Sequence, residues 1–176
     1  MIFTETRLKG AYIIEPERME DERGFFALSW SEREFKAHGL DARLLECNIS
    51  FNMRRGTLRG MHYQVAPHAQ AKLVRCTRGA IYDVAVDLRP ESETFKQWVA
   101  VELSARNCLQ FYIPAGLAHG FQTLEDETEI SYQMSEVYAP KCAGGVRWND
   151  TAFSIEWPEM ERIITDRDAQ YPDFIG

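Results

Sequence analysis

Between Gly56 and Gln64 the chain reads Gly-Thr-Leu-Arg-Gly-Met-His-Tyr-Gln. A guanidinium, an imidazole and an amide fall within the six residues from Arg59 to Gln64, with apolar residues between them. The pattern predicts a strand turned toward a polar pocket. Strict alternation sets Gly60, His62 and Gln64 on one face and Arg59 on the other. Only a kink at Gly60, where a bulge or a close backbone approach is open to glycine, would bring Arg59 round to join His62. Further along, Lys72, Asp83, His119 and Tyr132 each interrupt an otherwise apolar run. Most also have an ordinary explanation: His62 and His119 as satisfied core histidines, Lys72 as an exposed edge residue, Tyr132 as a core ring with its hydroxyl at the surface. Together, a base, an ammonium and a phenol on neighbouring strands make an acid–base site.

Metal chemistry is the rival reading. A histidine-based metal site in a small β-barrel usually draws on a close His-x-His pair, a nearby Glu and a distant third His. Here His62 is followed by Tyr63-Gln64, and His68 comes only in the turn Ala66-Pro67-His68-Ala69. With His119 as the one distant candidate, the set falls short of the three or four N/O ligands a first-row metal requires, so no metal is expected.

The elements that must hold these residues are mostly strands. From about residue 44 to 157 short apolar runs recur roughly every ten residues, punctuated by Gly, Pro, Asn and Asp, which indicates an all-β sandwich or barrel. The runs are 44–50, 58–64, 71–76, 80–88, 98–103, 109–113, 118–124 and 129–138, with a proline-closed edge strand at Ile155-Glu156-Trp157. Ala80–Leu88 is the strongest. Tyr82, Val84, Val86 and Leu88 share one face, and Asp83, Ala85 and Asp87 the other. Ala11–Ile14 reads as a further short strand. Ser31-Glu32-Arg33-Glu34 has the capping-box pattern of a helix start, and Gly39 its stop. The last residues read as a polar tail after Ile163-Ile164, carrying Asp166-Arg167-Asp168.

The 176 residues suit one domain with a real core, and 45% hydrophobic with 27% charged residues is a globular balance. The net charge of −7, with no Lys/Arg-rich run, argues against a nucleic-acid surface but not against a small anion held by a few pocket cations. The opening residues lack the apolar core of a signal peptide, and no apolar run approaches a membrane span. Cys47, Cys76, Cys108 and Cys142 are scattered without a C-x-x-C pair, which fits reduced thiols in the cytoplasm.

A set of segments resembles one family. They are Asp21-Glu22-Arg23-Gly24-Phe25-Phe26, Asn48-Ile49-Ser50, Leu58–Gln64, Lys72-Leu73-Val74, Gly79–Arg89, Ile113–Phe121, Trp148-Asn149-Asp150 and Asp166-Arg167-Asp168. In this order they resemble the cofactor-independent nucleotide-sugar 3,5-epimerases of the cupin superfamily, whose named type is dTDP-4-dehydrorhamnose 3,5-epimerase. The resemblance implies a double-stranded β-helix (jelly-roll) barrel over residues 1–176 with a few short helices. It also implies a homodimer with N-terminal strands crossing to the partner, no cofactor, and a nucleotide-linked 4-keto-hexose as substrate. By the same resemblance His62 is the base, Asp168 its carboxylate partner, Lys72 the stabiliser of enolate charge and Tyr132 the proton donor on the opposite face. Arg23, Arg59 and His119 would meet the diphosphate or sugar and Tyr138 would stack on the nucleobase. Phe26, Glu46 and Asn48 would join the substrate contacts, and Asp83 would orient Lys72 or His62.

Several positions depart from the family pattern. Leu28 stands where a glutamate is usual, Glu46 where a glutamine is usual, Ala143 where a glutamate is usual and Thr151 where a proline is usual. Ser92–Trp98 also lacks the usual proline and glycine. An ionised Glu46 only accepts hydrogen bonds, so GDP or CDP, with exocyclic amino donors, stands beside dTDP as a candidate nucleotide. The residues also leave open epimerisation at C3 alone, a sugar-binding cupin without activity and a metal-dependent cupin.

Overall fold

The computed structural model describes residues 1–175. Among them the elements run β1 (Ile2–Glu5), β2 (Tyr12–Glu15), β3 (Met19–Asp21), β4 (Gly24–Phe26), α1 (Glu32–Ala37), β5 (Glu46–Asn52), β6 (Leu58–Gln64), β7 (Lys72–Arg78) and β8 (Ala80–Asp87). They continue with β9 (Trp98–Ser104), β10 (Gln110–Ile113), β11 (Leu117–Thr123), β12 (Thr128–Met134), β13 (Ala143–Gly145) and α2 (Asp166–Ala169). A six-stranded sheet in the order β1-β2-β10-β7-β12-β5 faces a five-stranded sheet in the order β13-β6-β11-β8-β9, and β3 and β4 form a separate hairpin. Every named pairing is antiparallel. This is the all-β cupin jelly roll that the sequence pattern and the resemblance predict.

Alternation explains the packing between the sheets. Val74 and Cys76 of β7, Ile81 and Ala85 of β8, Phe111 and Ile113 of β10, Phe121 of β11 and Ile130 of β12 form one buried cluster. Each large side chain of this kind contributes about 1.5–3 kcal/mol by leaving water. The outer face of the five-stranded sheet is also buried. Leu58, Met61, Val84, Val86 and Ala118 pack there against Val146, Phe153 and Trp157 from the C-terminal stretch. The more apolar face of β8 therefore looks outward, under that stretch, and the face bearing Asp83 looks into the barrel.

The predicted helix start is present. The Ser31 side chain accepts the Glu34 N–H at 3.4 Å, and Gly39, past the end of α1, takes φ +71°. One expectation is corrected: Ile155-Glu156-Trp157 is not a strand. Its backbone joins no sheet, and Trp157 works instead as a buried cover whose Nε1–H donates to the Trp148 carbonyl at 2.8 Å. The chain pattern also missed β1, β3, β4 and β13, which are three or four residues long and too short to show a period.

Candidate active site

The site begins with a break in alternation. On β6, Arg59 pairs with Phe121 and His62 with His119, so three steps on β6 oppose two on β11. The extra residue falls at Gly60–Met61, where the peptide is cis and Gly60 takes φ +139°. After this bulge Leu58 and Met61 both face the outer cluster, while Arg59 and His62 both face the cavity between the sheets. A Cβ at Gly60 would stand 2.5 Å from the Gly120 Cα, so the two strands meet here through glycines.

The cavity has a volume of about 460 Å³. The six-stranded sheet supplies Asn48 and Ser50 from β5, Lys72 from β7 and Tyr132 from β12; the five-stranded sheet supplies Arg59, His62 and His119. A second cavity of about 300 Å³ shares His62, Lys72 and Met134 with the first and adds Tyr138, Ala143 and Arg167.

His62 is held from behind. Its Nε2 lies 2.8 Å from Asp168 Oδ1, and Asp168 Oδ2 accepts the Gly60 N–H at 3.1 Å. Asp168 arrives on α2, whose N-cap Thr165 accepts the Asp168 N–H at 3.4 Å. The approach of α2 is set by Ile163, which bridges Thr57 and accepts the Leu58 N–H at 2.8 Å. Burial disfavours charge on Asp168, but the His62 ring, the Gly60 N–H and the nearby Arg167 outweigh it and hold its carboxyl below the usual range. With Asp168 ionised, His62 carries its proton on Nε2 and keeps Nδ1 as the basic nitrogen.

Lys72 is buried, and its Nζ donates to the His62 carbonyl at 3.1 Å. Burial pushes this ammonium down to about 8, against the opposing pull of Asp83. The His119 Nε2 lies 2.7 Å from Asp83 Oδ1, and burial pushes the imidazole down and the carboxyl up. Burial also raises the Tyr132 phenol, whose ring meets that of His119 edge-on at 6.1 Å. Arg59 stands apart from the acids: its Nε–H donates to Asn52 Oδ1 at 2.8 Å, and among the described residues no carboxylate bonds it. A cation free of carboxylates at a cavity wall is suited to an incoming phosphate.

The structure thus brings together His62, Lys72, His119, Tyr132, Arg59 and Asn48 around one cavity, with Asp168 and Asp83 behind the two histidines. Tyr138 lines the second cavity. Three expectations change. Asp83 binds His119, not Lys72 or His62, because β8 pairs with β11 and sets residue 83 beside that strand. Glu46 lines neither cavity; its Oε1 accepts the Tyr138 N–H at 3.3 Å. Arg23 and Phe26 line neither cavity of their own chain: they sit on the exposed β3–β4 hairpin, where Arg23 pairs with Asp21 and Phe26 is 69% exposed. Sequence reasoning passed over Asn52 and Arg167. For Asn52 a signal existed, since Asn48, Ser50 and Asn52 alternate along one face of β5. Among the described residues no group of three His, Cys, Asp or Glu is placed to share a metal ion.

Comparison with known proteins gives the family that shares this fold. The family model described as dTDP-4-dehydrorhamnose 3,5-epimerase matches residues 5–175. A protein of that name from Methanothermobacter thermautotrophicus is 45% identical over 172 residues, covering 96% of this chain and 92% of the relative. The crystal structure of a dTDP-4-dehydrorhamnose 3,5-epimerase from Elizabethkingia anophelis superposes with a TM-score of 0.96 at 45% identity, covering 99% of this chain and 96% of that one. Its counterpart from Bacillus anthracis, solved with TDP and PPi bound, gives 0.94 at 40% identity over 98% and 99% of the two chains. A 3'-monoepimerase from Streptomyces bikiniensis, in complex with dTDP-quinovose, gives 0.88 at 35% identity over 96% and 85%. With its jelly roll, its matched length and these relatives, the chain belongs to the dTDP-4-dehydrorhamnose 3,5-epimerase family.

Proposed function

We propose that the protein inverts C3 and C5 of a dTDP-linked 4-keto-6-deoxyhexose. The C4 carbonyl acidifies the protons on both flanking carbons. His62 Nδ1 takes the proton from one face, and the electron pair moves onto the C4 oxygen as an enolate. The Lys72 ammonium stabilises that oxygen electrostatically. Tyr132 then gives its phenolic proton to the opposite face of the same carbon, which inverts it; the phenolate recovers a proton from solvent, and His62 releases to solvent the proton it took. Arg59, with His119 nearby, holds the diphosphate, and Tyr138 stacks on the base. Each step moves a proton between side chain and carbon, so no redox cofactor or metal is required.

The supporting observation is a single cavity walled by an imidazole, an ammonium and a phenol from three strands, with a carboxylate behind the imidazole. The thymidine nucleotide is favoured by the names of the relatives, and by Glu46 being engaged with a backbone N–H outside both cavities. Inversion at C3 alone is the second reading, favoured by the similarity to the 3'-monoepimerase. Solvent deuterium exchange into dTDP-4-keto-6-deoxyglucose decides between them. Label at C3 and C5 supports the first reading, label at C3 alone the second, and no label at either carbon overturns both.

A homodimer belongs to the same reading. Ile49, Phe51 and Met53 on and just past edge strand β5 are 72%, 43% and 66% exposed, and the β3–β4 hairpin exposes Met19, Phe25 and Phe26. Apolar residues in this number on an open strand edge and a hairpin call for a covering partner. The partner's hairpin would bring Arg23 and Phe26 to the cavity that β5 borders. Sedimentation of the purified protein as a monomer at micromolar concentration would remove this part. The cytoplasm, where the four free cysteines stay reduced, is the proposed location.

A further inference from the structure

We infer that Asn52 is a positioning residue for the nucleoside diphosphate, acting through the Arg59 guanidinium; this rests on the reading of Arg59 as the diphosphate's cation. Asn52 is 2% exposed and sits at the end of β5, opposite Thr128. Its Nδ2 donates to the carbonyls of Thr128 and Ser50, both at 3.3 Å, and lies 3.4 Å from Ser50 Oγ. Backbone carbonyls only accept, so the amide nitrogen must face them and the amide oxygen must face the other way. That oxygen meets Arg59 Nε, which only donates, at 2.8 Å. The amide therefore has one workable orientation, imposed by β12 on one side and read by Arg59 on the other.

The consequence is geometric. An arginine side chain at a cavity wall has several rotamers, and ordering it on ligand binding has an entropic cost. Here Nε is already bonded, so the plane of the guanidinium is set before the ligand arrives. The two terminal nitrogens remain for the phosphate oxygens. A neutral amide does this without cancelling the positive charge, as an aspartate would. The bulge at Gly60 turns Arg59 toward the cavity, and Asn52 then aims its charged end.

The test is a double-mutant cycle read by dTDP binding in calorimetry and by steady-state kinetics. Asn52→Ala is expected to weaken dTDP and raise KM by about tenfold, the scale of one hydrogen bond to a charged group, with kcat within about twofold. Arg59→Ala is expected to weaken dTDP by about a hundredfold. In the Arg59→Ala background, adding Asn52→Ala is expected to change dTDP affinity by less than about twofold. An equal loss from Asn52→Ala with and without Arg59 would show a merely structural residue and overturn the inference. Should Asn52→Ala fold poorly, Asn52→Ser keeps a hydroxyl that can donate to the Thr128 or Ser50 carbonyl and adds no charge, but is too short to reach Arg59 Nε at the same time. It too is expected to weaken dTDP about tenfold, and only when Arg59 is present; wild-type affinity in Asn52→Ser would overturn the inference. If Arg59→Ala binds dTDP as the wild type does, the phosphate role of Arg59 fails, and the role of Asn52 with it. If Arg59→Ala binds weakly but Asn52→Ala binds normally, only the role of Asn52 fails.

Discussion

His62 Nε2 and Asp168 Oδ1 are 2.8 Å apart in space and 106 residues apart in the chain. The pair is assembled by two anchors on the same short strand. At its start, Leu58 donates its N–H to Ile163; at its bulge, Gly60 donates its N–H to Asp168. The β6 strand therefore presents the imidazole and also holds the segment that brings its carboxylate.

Asp168→Asn preserves the shape but removes the charge that sets the tautomer of His62. We expect kcat to fall by about a hundredfold or more, and His62→Asn to fall at least as far, on the scale of general base catalysis. The carboxyl is held below its usual range in the folded protein, so it stabilises the fold above the ordinary aspartate pKa of ~4. That contribution is lost as pH falls through the lowered folded value. Denaturant unfolding should show wild type more stable than Asp168→Asn at pH 7 and the difference closing in strong acid.

Lys72 gives an alkaline prediction. Burial lowers its ammonium to about 8, below the ordinary lysine value, so its charge is lost as pH rises through about 8. The kcat/KM profile should fall on its alkaline side near that pH. Lys72→Arg keeps a charge through that range and should move the limb upward, with a lower plateau because the guanidinium is larger than the ammonium it replaces. A profile of Lys72→Arg that still falls near 8 would assign the limb to another group.

Tyr132→Phe separates removal of the proton from its return. The base remains, so the variant should still exchange the C3 proton of the 4-keto sugar for deuterium, on the face that His62 serves. Inverted product should fall by about 10²–10⁴-fold, the usual worth of a positioned acid. Mass spectrometry follows the exchange and NMR follows the inversion. Loss of both together would place Tyr132 in binding or folding.

Gly60→Ala tests the bulge. The new Cβ would meet the Gly120 backbone at 2.5 Å, and φ +139° is strained for any side chain. We expect destabilisation by about 3 kcal/mol or more in denaturant unfolding, since neither neighbour is a flexible side-chain end that can yield.

Much of the architecture was legible in the chain because it depends on near neighbours. Nine strands, β2 and β5 to β12, follow from apolar runs and turn residues, and α1 from a serine three residues before a glutamate. The motif around His62 and the order of the shared segments were enough to name a family and a set of acid–base residues. Strands β1, β3, β4 and β13 and the cover made by Trp157 were not legible, since three or four residues carry no period and a buried coil carries none at all.

By itself the sequence determined the residue types, their alternation and the glycine that permits a kink at position 60. Folding added that the kink is used, that Asp83 bonds His119, that Asn52 bonds Arg59 and that Arg23 and Phe26 lie outside the cavity of their own chain. The reason is register. Which strand lies beside which, and by how many residues each is offset, is settled by the simultaneous packing of two sheets and a C-terminal cover. A one-residue offset on β6 is what turns Arg59 and His62 toward the same cavity.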